Sequence, residues 1–323
     1  MKYTRLGNSG LDVSCVCLGC MNFGDETPGA HDWSLGIEET RPIIERALEL
    51  GINFFDTANA YSQGTSEEIT GKLLNELADR DEVVIATKVY FPMRGRGRNS
   101  IGLSRKAIMA ELEHSLRRLG TEYIDLYQIH RFDEKTPVEE TMRAFEDAIS
   151  SGKVRYIGAS SMWAWQFSKM QYTAEANGWP KFISMQNQYS LLQREEEREM
   201  LPLCADQNVG AIPYSPLARG LLTRDWDDST PRQEVDPLTG RRFDRSRDEV
   251  IAQEVAKIAE ERGIPRAQVA LAWVMNNPVV AAPIIGASKT GHIDDAVAAV
   301  EVELTQEEVE RLEAHYTPRA NLF

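Results

Sequence analysis

Residues 51–61, which read GINFFDTANAY, contain the pattern that decides the fold: a short apolar run followed at once by polar residues. The run is shorter than a typical helix, and the glycine before it is suited to ending a preceding helix. We interpret it as a buried strand that ends near Asp56, with Tyr61 in the following loop. Short apolar runs alternating with longer amphipathic stretches recur along the chain, and such alternation is typical of βα units with a parallel sheet.

Eight such runs occur, and eight strands with intervening helices predict an α/β fold, a closed (β/α)8 TIM barrel. The predicted strands are 16–19, 52–55, 83–86, 124–127, 154–157, 182–185, 209–212 and 279–282. Helices are expected at 39–50, 104–119, 137–150, 248–262 and 265–276, with Gly51, Gly120 and Gly152 just after three of them, where a left-handed residue ends a helix. We expect residues 1–323 to form one barrel domain.

Two segments lie outside the repeat. Residues 2–14 precede the first barrel strand and contain the turn sequence GNSG at 7–10, so we expect a β-hairpin that closes the barrel bottom. Residues 216–247 form a long polar loop after the seventh strand. Because loops that follow strands build the catalytic face of such barrels, we interpret this loop as a lid over a bound ligand, with a mobile linker as the alternative.

Composition and charge argue against several function classes. A formal net charge of −14 repels phosphate backbones, so no nucleic-acid partner is expected. The chain starts without a signal-peptide core and has no run of about 18 apolar residues, so we expect no membrane partner and a cytoplasmic protein. The spacing of Cys15, Cys17, Cys20 and Cys204 is not that of a zinc site, and we expect core cysteines and no metal.

Polar residues follow three successive strands, at the end of the barrel where catalytic groups lie. They are Asp56 and Tyr61 after the second strand, Lys88 at the end of the third and His130 at the end of the fourth. This set suits the reduction of a carbonyl, in which the oxygen must receive a proton. We expect the Lys88 ammonium to lower the pKa of the Tyr61 phenol, Asp56 to hold Lys88, and a neutral His130 to orient the substrate oxygen.

The segments that carry this pattern resemble the aldo-keto reductase superfamily over residues 2–315. They are GINFFDTANAY at 51–61, Thr87-Lys88, LRRLG at 116–120, Ile129-His130, GKVRYIGASS at 152–161 and YSPLARG at 214–220. Within it, the chain is most similar to the bacterial general reductases of the YajO type. The resemblance implies an NADPH-dependent oxidoreductase that reduces an aldehyde or ketone, with Tyr61 as proton donor and Asp56, Lys88 and His130 completing a tetrad.

The resemblance also implies the cofactor site. The nicotinamide is expected to stack on Tyr214, with its carboxamide bound by Ser160 and Gln186; the family often has Asn where this chain has Ser161. The pyrophosphate is expected along a loop formed by Ser215, Leu217, Arg219 and Gly220. Gly286, Ser288 and Lys289 open a helix, whose amino terminus and lysine suit the 2′-phosphate that distinguishes NADPH from NADH.

Two other functions compete with a reductase. Lys88 could act as a Schiff-base nucleophile in a lyase or aldolase, since barrels also use lysines at strand ends in this way. Alternatively, the chain could be a redox-sensing module that binds NADPH, like the potassium-channel β subunits of the same superfamily. The basic loop 94–98, which reads RGRGR, could in addition draw an anionic substrate to the site, although a solvated loop is the simpler interpretation.

Overall fold

The strands of the structure, a computed structural model that describes residues 1–25, 33–93, 97–228 and 243–321, form a hairpin and a barrel sheet. The hairpin pairs β1 with β2 in antiparallel orientation, and β3 to β10 run parallel in the order β10-β3-β4-β5-β6-β7-β8-β9. The strands are β1 (Tyr3–Arg5), β2 (Asp12–Ser14), β3 (Cys17–Gly19), β4 (Phe54–Asp56), β5 (Val84–Val89), β6 (Ile124–Ile129), β7 (Val154–Ser160), β8 (Ser184–Gln186), β9 (Gly210–Ala211) and β10 (Ile284–Gly286).

The sheet closes where β9 meets the segment that leads into β10. Ala211 bridges Val280 and Tyr214 bridges Ile284, both in parallel orientation. The barrel fold is therefore confirmed, but the predicted eighth strand at 279–282 is wrong in position, because β10 is Ile284–Gly286. Pro283 has no N–H to donate, so the regular pairing of β10 with β3 begins after it.

Helices follow most barrel strands and cover the outside of the sheet. They are α1 (Ile37–Glu49), α2 (Thr65–Leu77), α3 (Arg105–Leu119), α4 (Val138–Ser150), α5 (Ala164–Asn177), α6 (Met200–Asp206), α7 (Arg245–Arg262), α8 (Arg266–Met275), α9 (Thr290–Ala298) and α10 (Gln306–Glu313). Ser104 caps α3 by accepting from the Ala107 N–H, and Gly120 ends it with φ +63°. Gly51 and Gly152 also have positive φ after their helices, so the predicted helix ends are confirmed.

The hairpin closes the amino-terminal end of the barrel, as expected. Leu6 and Val13 are fully buried in one cluster with residues from the starts of the barrel strands, among them Cys17 and Phe54. Gly7 has φ +57° and lies against the backbone of Ile183 and Gly210, where any side chain would collide. The hairpin therefore fills the bottom of the barrel, which leaves the carboxyl ends of the strands as the open rim.

Some expected features fall outside the described residues. Of the predicted lid at 216–247, the part 229–242 is not described, and neither is 94–96 of the basic loop. The described parts of the lid segment end in a second apolar cluster, where Leu221, Leu222 and Phe243 pack with residues of α7 and α8. No helix within the described ranges combines the length and apolar content needed to cross a membrane.

Candidate active site

Three of the four predicted catalytic side chains meet at the rim of the barrel. Lys88 Nζ lies 2.5 Å from Asp56 Oδ2, 2.9 Å from the carbonyl oxygen of Thr57 and 3.2 Å from Tyr61 Oη. Lys88 is fully buried and Asp56 is 2% exposed. An ammonium has three protons, and all three are directed to these acceptors. The lysine is thus held in one position, with its charge against the tyrosine oxygen.

Two glutamines complete the coordination of the Asp56 carboxylate. Oδ1 accepts from Gln128 Nε2 at 2.8 Å and from Gln186 Nε2 at 3.1 Å, and Gln186 Nε2 also donates to Gln128 Oε1. Gln186 was expected to bind the cofactor alone, and no role was expected for Gln128. The available signal was the period of two in a strand, which places Gln128 on the same face as His130.

Burial and charge act in opposite directions on the pKa values of this group. Burial opposes the charged form of Lys88, but the Asp56 carboxylate and the Tyr61 hydroxyl outweigh it and raise the lysine pKa. Burial raises the pKa of Tyr61, and the nearby Lys88 charge reverses only part of that increase. Lys88 thus acts on the Tyr61 pKa in the expected direction, but burial outweighs it and the pKa is raised overall. The phenol stays protonated at neutral pH, and the lysine limits the cost of ionising it.

His130 follows β6 and lies at the edge of the same group. Its ring is 5.6 Å from that of Tyr61 and 4.8 Å from that of Phe91, both in edge-to-face contact. Burial, with the positive charges of Lys88 and Arg131, holds the pKa of His130 well below its usual value. Its Nδ1 is buried and has no hydrogen-bond partner among the described residues. The expectation of a neutral imidazole thus agrees with its surroundings.

The turn after β4 places Tyr61 over the lysine. It contains Ser62 at φ +45° and Gln63 at φ +56°, followed by Gly64 at φ +101°. Residues other than glycine rarely adopt positive φ, and each one that does costs about 1–3 kcal/mol. The strain is offset in part by side-chain bonds, since the Thr65 hydroxyl donates to the Ser62 carbonyl at 2.9 Å. Local backbone strain therefore accompanies the placement of the Tyr61 ring at the rim.

A buried charged cluster braces the strand ends from behind. Arg118 of α3 donates to Glu67 of α2 at 2.6 Å, and Glu67 accepts from the Thr87 hydroxyl at 2.6 Å. Asn59, just before the Tyr61 turn, donates to the buried Glu111 at 3.1 Å. Both carboxylates are fully buried, so their charges are stabilised by these partners. The cluster fixes the residue before Lys88 and the approach to Tyr61.

The ends of β7 and β8 form a polar shelf beside this group. The Ser160 hydroxyl donates to the Gln186 carbonyl at 2.7 Å and lies 3.1 Å from the Ser161 hydroxyl. The Ser161 N–H donates to Asn187 Oδ1 at 2.7 Å, and Ser161 has φ +52°. The structure therefore brings Ser160 and Gln186 together, and the Gln186 side chain lies next to Asp56.

The remaining predicted cofactor residues lie on β9, β10 and the loops after them, away from β4 to β6 in the sheet order. Ser215, Ala218, Arg219 and Gly220 all have positive φ, so the 214–220 loop is a tight turn. Lys289 is exposed at the start of α9. The other residues predicted here are Tyr214, Leu217, Gly286 and Ser288, of which Gly286 ends β10.

Comparison with known proteins gives the family. The model of the Aldo/keto reductase family matches residues 15–317. The versiconal hemiacetal acetate reductase of Aspergillus parasiticus is 47% identical over 99% of this chain and 98% of its own length. Putative aryl-alcohol dehydrogenases of Schizosaccharomyces pombe and Saccharomyces cerevisiae are 45% and 41% identical, over 98% and 99% of this chain and 96% and 98% of their own lengths.

These relatives are fungal, so they do not support the narrower expectation of a bacterial general reductase. The matched range includes β4, β5 and β6, which carry the rim group, and the strands that close the barrel. The chain belongs to the aldo/keto reductase family of oxidoreductases.

Proposed function

We propose that the chain reduces an aldehyde or ketone to an alcohol, with NADPH as cofactor and Tyr61 as the proton donor. The observation that carries the proposal is the contact of Tyr61 Oη with the buried Lys88 ammonium at 3.2 Å, with Lys88 itself fixed by Asp56 at 2.5 Å. Burying an ion pair is costly, because both charges lose their hydration. A role in catalysis accounts for its position at the open rim.

Bound NADPH would supply the hydride. The residues of the chain then have to manage the charge on the substrate oxygen, which becomes a strong base when the hydride arrives. Tyr61 keeps its proton at neutral pH because burial raises its pKa, and it gives the proton up to that oxygen. The Lys88 ammonium stabilises the phenolate that remains, and a neutral His130 donates a hydrogen bond that orients the carbonyl oxygen.

The polar and aromatic groups at the rim suit a nicotinamide cofactor. Gln186 uses its amide protons on Asp56 and Gln128, which leaves its Oε1 to accept from the carboxamide, beside the Ser160 hydroxyl. Tyr214 offers an aromatic face for the ring. The tight turn of Ser215, Leu217, Arg219 and Gly220 suits the pyrophosphate, since backbone at positive φ turns its N–H groups toward an anion.

The choice of NADPH over NADH rests on the start of α9. Lys289 is exposed there and forms no ion pair within the described part of the chain, so its charge is available for a 2′-phosphate. Gly286 and Ser288 lie just before it, where the chain leaves β10, and the amino terminus of a helix of this kind suits an anion.

The lyase alternative is disfavoured by the state of Lys88. A Schiff base needs a neutral amine, whereas Asp56 and Tyr61 raise the pKa of this lysine and occupy its protons. The redox-sensing alternative differs in turnover, so it is an outcome of the experiment below. The names of the relatives add a substrate class to test, namely aromatic aldehydes, for which Phe91 beside His130 provides an apolar wall.

A cofactor and substrate panel tests the proposal. The purified chain is titrated with NADPH and NADH by protein fluorescence, and cofactor oxidation is then followed by absorbance with aliphatic aldehydes, benzaldehydes and ketones. We expect tighter binding of NADPH and turnover with at least one carbonyl class. Tight NADPH binding without any turnover would favour the redox-sensing module, and borohydride trapping of a carbonyl on Lys88 without cofactor would favour the lyase.

A further inference from the structure

A buried carboxylate without a cationic partner lies close to the carboxamide shelf. Glu196, in the turn between β8 and α6, is 3% exposed. Within the described ranges it pairs with no lysine or arginine; its oxygens accept from two asparagine amides, Asn187 Nδ2 on Oε2 at 2.6 Å and Asn321 Nδ2 on Oε1 at 3.0 Å. Its charged neighbour is Glu195 in the same turn, and Cys204 of α6 faces it. A carboxyl group buried at such a place needs a reason.

One of the two asparagines connects this carboxylate to the shelf. Asn187 Nδ2 donates to Glu196 and to the Met162 carbonyl at 3.3 Å, while its Oδ1 accepts from the Ser161 N–H at 2.7 Å. If the Asn187 amide rotated by half a turn, its oxygen and nitrogen would exchange places. The oxygen would then face the Glu196 carboxylate, and all three hydrogen bonds would be lost. The acceptor oxygen Oε2 of Glu196 therefore fixes the orientation of Asn187.

The orientation of Asn187 matters because of what it holds. Ser161 has φ +52°, a conformation that residues other than glycine rarely adopt. The Asn187 amide forms hydrogen bonds on both sides of this position, to the Ser161 N–H and to the Met162 carbonyl. Ser160 and Gln186, the two sides of the shelf, are the chain neighbours of Ser161 and Asn187. The turn that aims the Ser160 hydroxyl thus depends on this amide.

The other asparagine belongs to the carboxyl-terminal segment, which is held over the same turn. Asn321 Oδ1 accepts from Gln193 Nε2 at 2.5 Å. The Arg319 N–H donates to Glu195 at 2.8 Å, and its guanidinium pairs with the buried Asp248 of α7 at 2.5 Å. The segment is therefore fixed independently of Asn321, and Asn321 acts as a second donor to the carboxylate.

We infer that Glu196 is a positioning residue for the nicotinamide carboxamide, acting through Asn187 on the Ser160 and Gln186 shelf, with Asn321 as its second support. The inference rests on the proposed function, since it requires a nicotinamide at that shelf. The Ser160 hydroxyl gives its proton to the Gln186 carbonyl, so its oxygen and Gln186 Oε1 both serve as acceptors. The specific consequence is that the benefit of Glu196 is greatest for a cofactor whose carboxamide has N–H groups to donate.

The experiment compares two cofactors that differ in this group. In the reduced 3-acetylpyridine analogue of NADPH a methyl replaces the carboxamide nitrogen, so no N–H remains to donate to Gln186 Oε1. Dissociation constants for both cofactors are measured by fluorescence with the wild type, Glu196→Met and Glu196→Gln. Methionine keeps the length of the side chain and removes both acceptor oxygens, whereas glutamine keeps one acceptor for Asn187. Glu199→Gln, on an exposed glutamate three residues away, is the matched control.

We expect Glu196→Met to weaken NADPH binding by about fivefold to tenfold, the range that one misplaced hydrogen bond produces, and to leave binding of the analogue within about twofold. Glu196→Gln should recover most of the loss, and Glu199→Gln should bind both cofactors as the wild type does. Equal losses for the two cofactors, or no loss, would overturn the inference, because the carboxylate would then act on the fold as a whole or not at all.

Folding of Glu196→Met is checked by circular dichroism. If it does not fold, Asn321→Ala replaces it, since Arg319 still holds the segment; we expect a loss of about twofold to threefold for NADPH alone, at the low end of the cost of one hydrogen bond. No selective loss in that variant would equally reject the role of Glu196. A wild type that binds neither cofactor would reject the proposed function itself. A wild type that binds both, with a variant that loses neither or both equally, would reject only the role of Glu196.

Discussion

Replacement of the buried ammonium, Lys88→Met, is expected to separate the chemical role of the lysine from its role in the fold. The charge lies 3.2 Å from Tyr61 Oη. At that distance and an effective dielectric constant of about 20, a phenolate and an ammonium attract each other by about 5 kcal/mol. If the transition state has most of this charge, its loss corresponds to a rate lower by ~10³–10⁴-fold.

The same change leaves the Asp56 carboxylate buried and without its cation, with the two glutamine amides as its remaining side-chain donors among the described residues. Removing one partner of a buried pair destabilises a protein by about 3–5 kcal/mol. The double variant Asp56→Asn, Lys88→Met removes the unpaired charge as well, so its stability should return toward that of the wild type while its rate stays low.

The assay is a single-turnover measurement of NADPH oxidation by stopped flow, with the cofactor at saturation and unfolding by urea followed in parallel. Lys72→Met, on an exposed lysine of α2, is the control and should match the wild type in both measurements. A folded Lys88→Met variant that is slowed by less than about tenfold, a barrier change of only ~1.4 kcal/mol, would refute the electrostatic reasoning.

Three further outcomes follow from particular contacts. The profile of kcat/KM should show no acid limb near pH 6.5, because the pKa of His130 is held well below its usual value; a limb there that disappears in His130→Gln would contradict this. Burial raises the pKa of Glu196 from 4.5 to about 7, so the stability that its proton provides is fully present below pH 4.5 and lost as pH rises through 7. Relative to Glu196→Gln, the wild type should lose up to about 3 kcal/mol of unfolding free energy between pH 4.5 and 8. A stability difference between the two proteins that stays constant with pH in urea melts would argue against this burial. Gly71→Ala should destabilise the fold by about 1–3 kcal/mol, since its Cβ would overlap the Leu119 backbone, whereas Gly291→Ala, with open space around it, should melt like the wild type.

Much of the barrel could be predicted because its signals are local. A buried parallel strand must be a short apolar run, a helix end favours glycine, and both are visible within a few residues, as at Gly120. The eighth strand was misplaced for a local reason too: the apolar run at 279–282 bonds to Ala211, and Pro283 delays regular pairing until Ile284. Hydrophobicity alone does not distinguish these two segments.

Site residues could be predicted where the residue type is unusual for its position in the sequence. They could not be predicted where their role depends on burial in the folded chain. Lys88 at a strand end stands out in the sequence, but Gln128 does not, because its partner Asp56 is 72 residues away. Glu196 stands among three consecutive glutamates, which normally indicates a solvated charge, and only the packed chain shows that it is buried. The sequence likewise indicates that Lys88 lowers the Tyr61 pKa but not that burial outweighs this effect, since desolvation cannot be seen in a sequence.

The most direct test of the central claim, that Tyr61 gives the proton to the substrate, is the single-turnover rate of Tyr61→Phe with NADPH already bound. The variant removes one oxygen atom and keeps the ring that contacts His130; Tyr172→Phe, on an exposed tyrosine, is the control. We predict that Tyr61→Phe binds NADPH as the wild type does and loses at least about 10³-fold in rate, within the range expected for a general acid. A variant that reduces the same carbonyl at a rate near that of the wild type would contradict the proposal.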